Sequence, residues 1–283
     1  METPTVPNAL GDFLRAHRER VRPEDVGLES LGHRRTPGLR REEVALLAGV
    51  STDYYLRLEQ GRDRTPSVQV LEAIGRVLRL DGDQQAYALA LVRPRPRRRS
   101  RTPETVPAGT LRFLHALPMP AFVQNHYLDV LAANGPAQAL SPHMRPGANR
   151  LLAAFLDPAE KELHEDWEHA TAAAVGQLRA TMGTETDDPR MVALVGELSL
   201  KSDHFRRLWA RQDVVRPRGG PVRLHHPEVG ELVLHREKLV VAGTEGQTLV
   251  AYHADAATPS AEALALLGTL ALERTAEPRS DRG

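Results

Sequence analysis

The sequence predicts an α+β multidomain chain, in which an all-α five-helix domain precedes an α+β domain with an antiparallel sheet. Three observations carry this reading. Apolar residues recur at helical spacing through 8–92, short apolar runs separated by turns occupy 221–253, and a proline- and arginine-rich stretch lies between. At 283 residues the chain is about twice a ~150-residue domain. Its 41% hydrophobic content suffices for a buried core. The expected division is an all-α domain over 8–92, a linker over 93–107 and a second domain over 108–272.

The first helix is set by Leu10, Phe13, Leu14 and His17 at i, i+3, i+4 and i+7. Residues 22–39 hold two prolines and three glycines and read as an irregular connection. A short helix from Arg40 to Ala48 is followed by Gly49 and Val50, then by a helix from Ser51 to about Gln60. Thr65 and Pro66 are expected to cap and open a fourth helix, with Leu71, Ile74 and Leu78 inside. A fifth covers roughly Asp83 to Val92. In RPRPRRRSRTPETVP, 93–107, prolines remove amide donors while the arginines repel one another, so no packed element is expected. Those arginines either stay solvated or touch DNA phosphates.

The informative segment is REEVALLAGVSTDYYLRLEQG, 41–61. Ala45 lies where two helices cross closely. Gly49 ends the first helix, where a left-handed backbone favours a residue without Cβ. Val50 points back into the core, Ser51 caps the next helix, and Leu58 returns inward. Together these describe a helix-turn-helix, although any helical hairpin can use glycine in its turn. In that motif the second helix enters the DNA major groove by its N-terminal end. Ser51, Thr52, Asp53, Tyr54 and Arg57 are therefore candidates for base and phosphate contact. Arg41 would meet a phosphate beside the groove, and Arg62 and Arg64 could add backbone contacts. Asp53 repels phosphate, but it can accept from a cytosine amino group or favour the helix dipole.

Charge supports this reading. The formal net charge is zero, yet 1–101 hold 19 Arg against 14 acidic residues and the remainder 18 basic against 23 acidic, giving +5 and −5. A basic half suits a nucleic-acid surface. Arginine outnumbers lysine 34 to 3, which a GC-rich genome would also produce.

In the acidic half, AFVQN and LDVLAAN (121–125, 128–134) flank a His126–Tyr127 turn and read as a β-hairpin. Leu163, Trp167, Ala170, Ala174, Leu178 and Met182 form one helical stripe. Asp203 to Arg211 is another helix, PVRLHH, GELVLH and QTLVAYH read as antiparallel strands, and Pro259 to Leu270 closes with a helix. The expected sheet is a single mixed one with helices over a face.

The run LRREEVALLAGVSTDYYLRLEQGRDRTPS resembles the bacterial Xre/Cro-type repressors, and the preceding loop RRTPGLRREEVA resembles the MmyB-like regulators. FLDPAEKELHEDWEHATAAAVGQLRA, DDPRMVALVGELS, FRRLWARQDV and HHPEVGEL extend that second resemblance over about 108–270. It implies a PAS-like domain, sequence-specific transcriptional control and a small, lipophilic, fatty-acid-like ligand. The chain departs from the family at Ala133, in LAAN, where a tryptophan usually precedes the asparagine. Loss of that ring should enlarge or reshape any nearby cavity.

Phe155, Trp167, Phe205 and Trp209 are the large rings available as pocket walls, or equally as plain core. Arg179 could pair with a ligand carboxylate or form a surface salt bridge. His226 is a second candidate for that polar end.

Cysteine is absent, which excludes a disulfide framework, a thiolate metal site and a cysteine nucleophile. His164 and His169 are five apart rather than four, and His225 and His226 are adjacent, so neither pair suits one metal. No catalytic motif of the nucleophile-elbow, P-loop or dinucleotide type is present. HEDWEH reads as a solvated charged helix face. The expectation is a non-enzymatic regulator without cofactor, acting on double-stranded DNA as a homodimer at a palindromic operator. With no ~18-residue apolar run and no leader pattern, it is expected in the cytoplasm and off the membrane. The alternatives are a second domain that only dimerises, a small-molecule enzyme fused to a DNA-binding head, and an N-terminal protein-docking module.

Overall fold

The computed structural model describes residues 8–28, 36, 38–63, 65–92, 104–182, 188–213, 221–244 and 246–276. The chain separates into two compact units, each assembled from two stretches. A helical unit takes Met1–Arg98 with Val175–Arg216, and a sheet unit takes Arg99–Ala174 with Pro217–Gly283.

The helical unit contains the five expected helices: α1 (Ala9–Arg18), α2 (Arg41–Ala48), α3 (Thr52–Glu59), α4 (Val68–Val77) and α5 (Gly82–Val92). A 3-10 turn, Pro23–Val26, lies in the connection between α1 and α2. Helix starts are fixed locally. Asn8 Oδ1 accepts from the Gly11 amide, Ser51 Oγ from Tyr54 and Ser67 Oγ from Val70. The cap of α4 is thus Ser67, not Thr65. A start at Ser67 turns Leu71 and Ile74 inward, both at most 1% exposed, and leaves Thr65 and Pro66 outside the helix. Phe13, Leu14, Leu39, Val44, Tyr55 and Leu58 are central to the core. Helix α1 closes on α3 so tightly that a Cβ at Gly11 would stand 2.3 Å from the Glu59 carbonyl oxygen. Asn8 Nδ2 donates to that same oxygen at 2.7 Å.

From the other stretch the helical unit takes α11 (Pro189–Lys201), α12 (Asp203–Ala210) and the part of α10 (Trp167–Met182) that begins at Val175.

The sheet unit holds β1 (Ala121–Gln124), β2 (Val130–Ala133), β3 (Pro221–His226), β4 (Gly230–Val240) and β5 (Thr248–His253), in the order β2-β1-β5-β4-β3. Every pairing is antiparallel, so the sheet is not mixed. A hairpin and a three-stranded meander meet where β1 runs against β5, with Ala121 opposite Ala251. β4 outruns the expected GELVLH because its first half pairs with β3 and its second half with β5.

Both faces of the sheet are covered. Phe122, Leu234 and Val250 pack with Ala137 and Leu140 of α7 (Gly135–Leu140) and Leu267 of α13 (Pro259–Ala276). Val123 and Leu249 on the other face pack with Leu114 of α6 (Ala108–Ala116) and with Val106. Residues 93–103 of the expected linker lie outside the described residues. Its end is packed: Val106 is 6% exposed, and the Thr105 carbonyl accepts from Gln247 Nε2 at 3.2 Å. Asn134 ties the start of α7 to the segment before β1, capping Ala137 at 3.0 Å and donating to the Met119 carbonyl at 2.8 Å.

The stripe expected from Leu163 to Met182 is broken. Leu163 ends α9 (Pro158–Leu163), which follows α8 (Arg150–Leu156). The chain then lies beside β3, where His164 bridges Leu224 and the Glu165 amide donates to the Arg223 carbonyl at 3.2 Å. Helix α10 starts only at Trp167.

Candidate DNA-binding site and ligand-binding residues

The α2–turn–α3 geometry follows from its residues. Ala45 is 1% exposed, Gly49 has φ 70°, and the Val50 amide donates to the Ala45 carbonyl at 2.9 Å. Gly49 ends α2 because a side chain there would be strained. Ser51 then caps α3, whose inward face carries Tyr55, Leu58 and Glu59. Its outward face carries Ser51, Thr52, Asp53 and Arg57, all exposed, with Tyr54 half-buried. Asp53 pairs with Arg57 one turn on, and the Arg57 guanidinium stands 5.9 Å from the Tyr54 ring centre. The carboxylate that opposed the DNA reading is therefore offset by a neighbouring cation. Arg62 is exposed just beyond α3, and Arg64 lies outside the described residues.

Arg41 has a second task. Its Nε donates to Glu59 Oε2 at 2.6 Å, while Arg18 Nε donates to Oε1 at 2.6 Å. Arg18 Nη1 also donates to the Leu39 carbonyl at 2.9 Å. Glu59 is fully buried, and burial alone would raise its pKa, but the hydrogen bonds from Arg18 and Arg41 outweigh that and lower it. The Arg41 side chain remains 45% exposed, so it can hold Glu59 and still present charge outward. Sequence reasoning singled out neither Glu59 nor Arg18. Its available signal was a carboxylate four residues after Tyr55 on the inward stripe, a position that requires a buried cation.

The ligand-binding candidates do not assemble as one group. Phe155 and Trp167, in the sheet unit, form an edge-on pair with ring centres 6.4 Å apart. Trp167 Nε1 donates to the Ala154 carbonyl at 2.7 Å. Phe205 and Trp209, in the helical unit, stack at 5.6 Å, and Phe205 is fully buried. Arg179 is 4% exposed; Nη2 donates to the Trp209 carbonyl at 2.5 Å and Nη1 to Gln212 Oε1. Its guanidinium carbon sits 3.9 Å from the Trp209 ring centre. His226 is engaged at both ring nitrogens, with Nε2 3.0 Å from the Ala139 carbonyl and Nδ1 accepting from the Glu228 amide at 3.2 Å. Ala133 is 7% exposed, opposite Phe122 in the sheet and within the cluster that includes Val130.

Among the described residues no helix is long and apolar enough to cross a membrane, and no group of three His, Asp or Glu residues is placed to hold a metal ion. Residues 9–88 match a helix-turn-helix domain family, and residues 106–267 match the family described as MmyB-like transcription regulator ligand binding domain. No curated protein matches the chain significantly.

Proposed function

The chain belongs to the MmyB-like transcription regulators, with a helix-turn-helix domain and a ligand-binding domain; on that premise we propose a one-component regulator of the Xre type. Its α3 reads a palindromic operator as one half of a homodimer, and its PAS-like domain senses a lipophilic, fatty-acid-like molecule. The protein acts in the cytoplasm and catalyses no reaction. The observation that carries the DNA reading is the division of α3. Tyr55, Leu58 and Glu59 anchor it inward, while Ser51, Thr52 and Asp53 face outward at its N-terminal end and Arg57 does so one turn later.

Solvent extraction of the freshly purified chain, followed by mass spectrometry, tests the sensor reading. One stoichiometric lipophile is the expected result. The ring pairs favour a second reading, a C-terminal half that only dimerises, because each ring already has a protein partner. An empty extract together with a flat thermal-shift screen of fatty acids would establish that reading instead. Selection of a duplex from random sequence tests DNA recognition. Arg57→Ala should then weaken the selected site more than unrelated DNA.

A further inference from the structure

We infer that Arg179 and the tip of α12 form a positioning device for DNA recognition, bracing the end of α1 on which α3 is seated. The inference rests on the DNA-binding reading above. All of its parts lie in the helical unit, although residues 179–213 fall within the stretch matched to the ligand-binding family.

The last turn of α1 and the residues just after it hold both sets of contacts. Arg18 reaches Glu59 at the end of α3. Its neighbour Arg20 takes the tip of α12, where Asp213 pairs with it, and the charge of Asp213 also acts on the buried His17 ring. Gln212 turns the chain at that point with φ 56°, a left-handed conformation that a non-glycine residue adopts at a cost. Arg179 fixes this turn from behind through the Trp209 carbonyl and the Gln212 side chain. Ala180 packs on the core that holds Phe13 and Tyr55.

The chemistry is not what packing alone would select. Among the described residues no carboxylate is in ion-pair contact with the buried Arg179 guanidinium, Asp213 acting on it only through its charge, and its Nε has no hydrogen-bond partner. A buried cation of this kind generally stabilises less than apolar residues of the same volume. What it supplies is direction, since a planar fork holds the Trp209 carbonyl, the Gln212 amide and the Trp209 ring at fixed angles. A change that moves α12 therefore moves the end of α1 and the seat of α3. DNA affinity follows to the extent that the bound and free forms differ in this contact.

The chain has no cysteine, so two introduced thiols can be joined without background. In full-length protein, Arg20→Cys with Asp213→Cys removes the ion pair, and a short bis-thiosulfonate linker, reversible by reductant, replaces it. On a duplex selected by the wild-type chain, the unlinked variant should lose about tenfold in specific affinity, and linking should return most of it. Affinity for unrelated duplex at the same salt should stay constant throughout. Arg179→Met should show the same loss and the same recovery when combined with the linked pair. A merely structural role would instead lower the active fraction on both duplexes and leave their affinity ratio unchanged. Failure of the linker to bridge the two thiols, or equal specific affinity with and without it, overturns the inference while DNA binding stands. If the wild-type chain selects no duplex, the DNA-binding reading itself falls, and the inference with it.

Discussion

Glu59 in the helical unit and Glu160 in the sheet unit are both carboxylates at most 1% exposed, each held by donors from other elements. Glu160 accepts from Ser141 and from Arg150 at 3.2 Å, with His164 Nε2 3.8 Å away. Arg150 and His164 are themselves only 13% and 15% exposed, so this cluster closes on itself. Glu59 is shared between Arg18, 7% exposed, and Arg41, 45% exposed. Arg18 also meets Glu19 at 3.4 Å, so two carboxylates balance the two guanidinium groups, and it is the Arg41 end of the cluster that reaches the surface at the start of α2. The sheet unit uses its buried charge to fasten helices, whereas the helical unit uses its own to seat α3 and also to keep a cation at the surface.

The sharpest way to break this comparison is to remove both carboxylates separately. Glu59→Ala leaves Arg18 buried without its partner and should cost about 3–5 kcal/mol of stability in urea melting, with loss of specific DNA binding. Glu160→Gln keeps an acceptor for Ser141 but loses the ion pair, and should cost about 2 kcal/mol in the same measurement while α3 keeps its seat. Equal loss of DNA affinity in the two variants would end the distinction.

Acid separates the units in the same sense, with an effect between those two. Burial, then the charge of Arg20, lowers the His17 pKa from 6.5 to about 4, against the raising effects of the Gln212 backbone, Asp213 and Asp81. The unfolded chain therefore binds a proton that the folded chain refuses between pH 6.5 and 4. Stability should fall by about 3 kcal/mol as pH descends through that window. His17→Gln should flatten the loss when melting is compared at pH 7 and pH 4.5. Glu160 behaves differently. Burial raises its pKa, but His164, Arg150 and Ser141 outweigh that and bring it to about 2, so its contribution is full above 4.5 and is lost only toward 2.

The smallest effect sharpens the outward half of the contrast. Arg41→Gln should weaken all duplexes about equally and reduce the salt dependence of binding by about one unit of slope. A loss confined to the selected site would assign Arg41 to base reading instead.

The helix-turn-helix was legible because its determinants are local: Ala45, Gly49 and Ser51 lie within seven residues, and each acts through its own backbone. The Arg18–Glu59 pair spans 41 residues, which no spacing rule connects. Thr65 and Ser67 offered two hydroxyl caps, and only the burial of Leu71 and Ile74 decides between them. In the second half the strands were readable from alternation, yet their order was not, since the contact of β1 with β5 joins residues more than a hundred apart. The break at His164 was hidden for the same reason. Its cause is the edge of β3, some sixty residues later. Arg179 shows the reverse failure: its place next to Leu178, at the edge of the stripe, was visible, but its partners at Trp209 and Gln212 belong to a turn that sequence does not announce.

The helical unit is built from Met1–Arg98 and Val175–Arg216, with a large part of the sheet unit threaded between them. On the ribosome, where chains emerge at about 5–20 residues per second, the five N-terminal helices are available long before α12. The partner of Arg20 at Asp213 must wait until well over a hundred further residues have been made. A nascent chain would thus expose its helix-turn-helix in an unbraced form for several seconds. It would acquire its final geometry only when the closing stretch arrives, so operator recognition matures with the completed regulator rather than with its first domain.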